Sequence, residues 1–366
     1  MGLVWAGFSA QVPVLKAQIG ASDATFGMIF LVASIGALFA VWLAPLVDSW
    51  MRSWSIALAS LALCASLLIP ALATSVFWFA GGLLLASAAS GVSDIVINAR
   101  VAEVEAARQR PMMNLVHAVY SFSYAGTALI TGILREAGYS PVYIFGLIAV
   151  AICLIAPLMR ARPATYNTRA LPEPGPDGAR ALVWLAGLVV LVGFMAEQAV
   201  DGWSALHLER TLGGDPSDGA MGPAILGLTM GFGRLFGQVI AHRVTDTVMI
   251  AGACLMSALG VSLAALADGL ALAYLGFAIM GLGVSVVVPL TMALVGRAVP
   301  QKERIAAIGR ASVIGYGAFL VGPSLMGLSA DLFGLRTAFL LVALMLVTVA
   351  FPLMPMIARQ VMRKPA

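Results

Sequence analysis

The sequence predicts an all-α integral membrane protein of twelve transmembrane helices arranged as two pseudo-symmetric six-helix bundles. Three observations lead there. Of 366 residues, 61% are hydrophobic and only 10% charged, where a soluble globular domain carries about 25% charge. Apolar runs of about twenty residues recur along the chain, the length that a hydrocarbon layer of roughly 30 Å demands of a helix, without the period-two alternation of a membrane barrel. Short glycine motifs also return at an interval of about half the chain, the mark of a duplicated unit.

The first six helices are expected near 1–17, 24–47, 54–73, 76–104, 112–136 and 141–160, and the second six near 181–208, 220–242, 246–267, 270–298, 304–330 and 335–359. Residues 161–180, rich in proline and charge, read as a cytoplasmic linker between bundles at 1–160 and 181–366. The first run has about fourteen residues between Met1 and Lys16, too few to cross comfortably, so a truncated or misassigned start is expected. Four motif pairs carry the repeat: "GALF" at Gly36 with "GRLFG" at Gly233, "GVS" at Gly91 and Gly283, "AGTALITG" at Ala125 with "VGPSLMG" at Val321, and Gly138 with Gly334.

Loop charge sets orientation. With both termini cytoplasmic, Arg52, Arg100, Arg108, Arg110, Arg160, Arg243, Arg297, Lys302 and Arg304 fall inside, and Lys16, Arg135, Arg210 and Arg336 outside. Trp50, Trp54 and Trp184 are expected at the inner interface, and Trp78 and Trp203 at the outer one. Cys64, Cys153 and Cys254 each sit mid-run without metal-ligand spacing and read as small buried apolar side chains. The net charge of +4 orients the chain and does not point to nucleic acid.

The polar residues inside the apolar runs are the candidates for function. Asp94 lies 18 residues into the fourth span, about 27 Å along a helix. A carboxylate at a span centre costs about 2.5–3.5 kcal/mol on insertion scales, so a protonatable carrier group or a hydrogen-bonded structural acid is implied. Ser87, Ser90, Asp94 and Asn98 form one helical stripe, and Asn114, His117, Ser121 and Tyr124 form another on the fifth span. His117 is a proton site, a group that tunes Asp94, or a packing residue. Arg100 reads as an interfacial or gating cation, Arg234 as an anion-binding or architectural one with Gln238 a turn on, and Glu197 and Asp201 as cavity and interface acids. Ser285, Pro289 and Met292 share a face of the tenth span, where proline kinks the helix.

Several motifs resemble the major facilitator superfamily over nearly the whole chain. "APLVDSWMRS", with Asp48 and Arg52, is similar to its signature loop after the second helix, without the usual glycines and further arginines. Asp94 with Asn98, "GVSVVVP" ending at Pro289, "GRLFGQVIAHR", and "AVDGWSALHLE" after Glu197 resemble the fucose-permease-like branch. That resemblance implies proton-coupled uptake of sugars and related solutes, although the first-helix carboxylate of that branch has no counterpart here. Gating or structural charge then falls to Asp48, Arg52, Arg100 and Arg234, and substrate or proton binding to Asp94, Asn98, His117, Ser121, Tyr124, Glu197 and Ser285.

There is no P-loop, H-E-x-x-H or nucleophile elbow, so neither enzyme chemistry nor a cofactor or metal is expected, and the energy must come from gradients. The leading expectation is a proton-coupled symporter of a small polar, sugar-like solute, working by alternating access as a monomer in the inner or plasma membrane. Its partners are that small-molecule substrate, protons and the lipid bilayer. The alternatives are a proton-coupled efflux antiporter for drugs or metabolites, and a non-transporting receptor on the same fold. Superfamily antiporters often carry a G-x-x-x-G-P-x-x-G motif on the fifth helix, where this chain has "AGTALITG" without the proline.

Overall fold

A computed structural model describes residues 1–108, 110, 112–161, 180–241 and 244–362. Most of the expected linker therefore lies outside the described residues, as do the side chains of Asn114 and Gln238. The helices are α1 (Gly2–Ser9), α2 (Val12–Gln18), α3 (Asp23–Met51), α4 (Ser55–Leu72), α5 (Val76–Arg108), α6 (Met113–Glu136) and α7 (Pro141–Ile155), followed by α8 (Arg180–Leu206), α9 (Pro216–Ala241), α10 (Asp246–Leu266), α11 (Leu270–Ala298), α12 (Arg304–Thr348) and α13 (Met354–Met362). Among the described residues, seven stretches are long and apolar enough to cross a membrane. Two of these, Asp23–Leu72 and Ala306–Val361, hold 50 and 56 residues, which as straight helices would reach about 75 Å or more. Each turns back instead, at Arg52 (φ 49°) and at Gly334 (φ 82°). The chain is thus an all-α, multi-pass integral membrane protein.

Local chemistry explains most of the boundaries. The expected first helix is two short ones, because Pro13 opens α2 and has no N–H to continue the ladder, while the Gln11 side chain donates to the Gly7 carbonyl at 2.7 Å. Ser22 caps α3 by accepting from the Thr25 N–H at 3.1 Å, with Asp23 in the first turn where the helix dipole favours an acid. Past Leu206, α8 widens into one π turn, His207–Thr211.

Contacts divide the chain into two units, Met1–Asn167 with Ala205–Ala224, and Thr168–Ser204 with Ile225–Ala366. In the first, α3 and α4 pack along α5, and α1 along α6; in the second, α10 packs on α11 and α12. Small residues set the close approaches. Ala40 on α3 meets Gly91 on α5, where an added Cβ would stand 2.6 Å from the alanine methyl, and Gly233 on α9 meets Ser285 on α11 in the same way, 193 and 194 positions later. Gly20 and Gly213 (φ 60° and 74°) and Gly138 and Gly334 (φ 84° and 82°) are further pairs, with spacings of 193 and 196. These pairs recur at spacings of 193–196, within the range of the sequence pairings, and Gly36, set against Leu84 and Ala88 of α5, answers Gly233, set against Leu282 and Ser285 of α11, as well as Ala40 does. Gly91 and Gly283 meet different neighbours, Ala40 for one and Ala253 and Ser257 for the other.

A close crossing with backbone on both sides joins α10 to α11. A Cβ on Gly260 would lie 2.6 Å from the Gly276 carbonyl oxygen, and one on Gly276 would lie 2.6 Å from the Gly260 carbonyl. Backbone cannot yield as a side chain can, so Gly276→Ala is expected to destabilise the second unit by about 1–3 kcal/mol. A clearly lowered melting midpoint in detergent is the result to look for, and an unchanged one would show that this crossing relaxes freely.

Two expectations about apolar residues are corrected. Trp203 is not at an interface but is among the largest fully buried side chains, whereas Trp50, Trp54, Trp78 and Trp184 are exposed as a belt requires. Cys64 and Cys254 are buried, but Cys153 is exposed on α7.

Candidate functional site

The first unit carries the α5 stripe. The Trp5 indole N–H of α1 donates to the Ser90 hydroxyl at 2.9 Å, fixing α1 against this face. One turn further on, Asp94 is exposed, and its carboxylate accepts a hydrogen bond from Asn98 at the next turn. His117 on α6 is half-buried, and its backbone carbonyl accepts from the Ser121 hydroxyl at 3.0 Å. Ser121 is buried, as is Tyr124, which packs with Ala6, Ala10, Ala128, Ala220 and Ala224 beside Trp5 and Tyr120.

The signature loop forms a buried ion pair whose cation is not the one nearest in sequence. Asp48 bonds the Arg100 guanidinium and accepts from the Ser55 hydroxyl at 2.5 Å. Arg100 also donates to Ser55 Oγ at 2.6 Å, to the Arg52 carbonyl at 3.0 Å and to the Ala161 carbonyl at 2.9 Å. Arg52 turns its side chain to the exterior and contributes its backbone, held at positive φ. Arg160 lies over the Trp54 ring, 4.7 Å from its centroid.

At the other end of the same unit is a charge network that sequence reasoning missed. Arg135 on α6 holds Glu209 through both carboxylate oxygens, at 2.6 and 3.1 Å, and also reaches the carbonyls of Ala10 and Pro216. Asp23 at the start of α3 takes Arg210 through both oxygens, at 2.9 and 2.5 Å, and Lys16 at 2.9 Å. The π turn swings Glu209 and Arg210 into place, and Gly219 leaves the room that the Glu209 carboxylate occupies. The sequence marks Lys16, Arg135 and Arg210 as outer charges but carries no signal of their partners.

In the second unit Glu197 is half-buried on α8, and the charges of Arg234 on α9 and Asp201 both act on it. Arg234 follows Gly233, whose missing side chain leaves space for the Ser285 hydroxyl. Ser285 itself is buried and donates to the Leu282 carbonyl at 2.7 Å. Predicted polar residues thus occur in both units, Asp94, Asn98 and His117 in one and Glu197, Arg234 and Ser285 in the other.

Long apolar helices with ionisable residues set into their faces define a multi-pass membrane transporter. The chain belongs to the Major Facilitator Superfamily, whose family model matches residues 1–277 and 186–365. It is 32% identical over 361 residues to an uncharacterised MFS-type transporter of Yersinia pestis, covering 95% of this chain and 91% of that one. Its fold is like that of a bacterial homologue of the human lysosomal transporter Spinster (TM-score 0.74, 14% identity, 100% of this chain and 97% of the other). The nucleoside transporter NupG is similar too (TM-score 0.76, 15% identity, 100% and 96%). The protein is a secondary transporter of the alternating-access type, moving small molecules across a lipid bilayer, rather than an enzyme.

Proposed function

We propose that the protein is a proton-coupled symporter of a small polar, sugar-like solute. The observation that carries the reading is Asp94, an exposed acid 18 residues into a long apolar helix, on a polar stripe with Ser90 and Asn98. A charge placed so deep is retained for use far more readily than for packing. Asp94 takes and releases the proton, and His117 tunes it. Glu197 with Arg234 serves the solute in the other half, and Asn98, Ser121, Tyr124 and Ser285 shape the path. Asp48 with Arg100 is the inner gate, to which Arg52 lends its backbone.

The broken stretches support twelve crossings in two six-helix bundles, 1–160 and 181–366 joined by 161–180: the two long stretches count double, and α1–α2, α6 and α9 complete the number. The loop arginines support cytoplasmic termini in an inner or plasma membrane, and the chain is taken to work as a monomer. The sugar-like substrate rests on the likeness of Asp94, Asn98 and Pro289 to the fucose-permease-like branch.

The test is solute-driven proton movement in proteoliposomes across sugars, nucleosides, polyols, acids and amphiphiles. Alkalinisation outside on adding one solute is expected. Proton efflux from acid-loaded vesicles on adding an amphiphile would instead establish the antiporter.

A further inference from the structure

Three aromatic rings in the second unit are unused by the reading above, and one of them, Phe194, stands one turn from Glu197 on α8. Phe194 on α8 lies 5.3 Å from Phe319 and 5.9 Å from Tyr316 on α12, centroid to centroid, and Tyr316 and Phe319 are 6.1 Å apart. All three lie near the middle of their apolar stretches. They are not buried: Tyr316 is 56% exposed and Phe319 37%, with Phe194 half-buried.

Their backbone seats are fixed. Gly315, Gly317 and Gly322 flank the two α12 rings and let that helix lie directly against Val190, Leu191 and Met195 of α8. Phe194, Glu197 and Asp201 fall at i, i+3 and i+7, one stripe of α8, while Val189, Ala196, Val200 and Trp203 on the other side of that helix are buried. A stripe with two acids, on which the charge of Arg234 from α9 also acts, does not face lipid, where each charge costs about 2.5–3.5 kcal/mol. The rings therefore share a polar pathway with the charges.

We infer that Phe194, Tyr316 and Phe319, with Glu197 and Arg234, form a subsite for an uncharged solute that has one flat ring face and a vicinal diol. The trio supplies aromatic faces on which a ring can stack. The carboxylate accepts from two adjacent hydroxyls, and the guanidinium fork donates to their oxygens. Arg234 offsets Glu197 while Asp201 adds a second negative charge one turn on, so a neutral solute brings no charge that the stripe must match, whereas an anion would be repelled. A hexopyranose and a ribonucleoside both carry this combination of ring and diol. An acyclic polyol has the hydroxyls without the face. The inference rests on the transporter reading and names its substrate class.

Binding to the purified protein in detergent tests it without any proton gradient, by titration calorimetry with hexopyranoses, ribonucleosides, sorbitol and tetraethylammonium. One of the two cyclic classes, identified by its own arm, is expected to bind at least tenfold more tightly than sorbitol. Tyr316→Leu and Phe319→Leu should each weaken that binding by roughly threefold to tenfold, the scale of a lost ring contact, and Tyr316→Phe should preserve it. The inference is overturned if sorbitol binds as well, if the cation binds best, if no cyclic solute binds, or if folded leucine variants bind like the parent. The ligand panel on the unaltered protein decides the matter even where a variant does not fold. Proton coupling is read separately in vesicles, so symport and the ring subsite can each fail while the other stands.

Discussion

Vesicles carrying Asp94→Asn are expected to let the solute equilibrate but never to concentrate it. One proton moving down 100 mV releases about 2.3 kcal/mol, and since about 1.4 kcal/mol is a factor of ten, a one-proton symporter can hold a gradient of roughly fiftyfold. Asparagine has the shape of aspartate and still accepts from Asn98 through its amide oxygen, but it takes up no proton. The accumulation ratio should fall from that ceiling to about one. Exchange of labelled for unlabelled solute, which needs no net proton movement, should survive. Insertion should not suffer, because a neutral amide is cheaper than a carboxylate in the membrane. Uphill uptake by this variant would remove Asp94 from the coupling step, whatever the solute proves to be.

Glu209→Gln should be the most damaging change for the stability of the first unit. Arg135 is 7% exposed and Glu209 17%, and they are joined through two hydrogen bonds. Removing one partner leaves the guanidinium buried without its counter-charge, a loss of about 3 kcal/mol or more. The residue also anchors Ala205–Ala224, which is counted with the first unit by its contacts. Hydrogen exchange across these residues should rise with a lowered melting midpoint, while α10 and α11 stay protected. In a double-mutant cycle, Arg135→Gln with Glu209→Gln should cost less than the sum of the singles, since the pair is then absent as a whole. Strict additivity would mean that the two side chains meet without depending on each other.

The membrane class, most spans, and the unusual position of Asp94 were all legible in the sequence. Each depends on local composition: twenty apolar residues must form a helix in hydrocarbon, whatever lies beside them. Even here the local rules met an exception. Pro13 splits the first helix into two, whereas the non-helical Gly334 falls between the two spans expected at 304–330 and 335–359. Register was harder. "GVS" matches in letters at 91 and 283, yet Gly91 meets Ala40 of α3 and Gly283 meets Ala253 and Ser257 of α10, because packing asks only for a small residue at a crossing.

Partners were the least legible. The sequence offers Arg100 as an interfacial or gating cation without selecting its partner, and the structure places it, not Arg52, on Asp48. The bonds from Arg135 to Glu209 and from Arg210 to Asp23 join residues 74 and 187 positions apart. Nothing in a string of residues selects one acid for one cation, because any opposite pair attracts. The same holds for Phe194 with Tyr316 and Phe319, three ordinary apolar letters in helices that happen to cross. Spans, orientation and the candidate acid follow from properties each segment carries alone. Pairs, gates and the ring subsite depend on which helix faces meet, and that is settled only when close packing at small residues brings distant segments together.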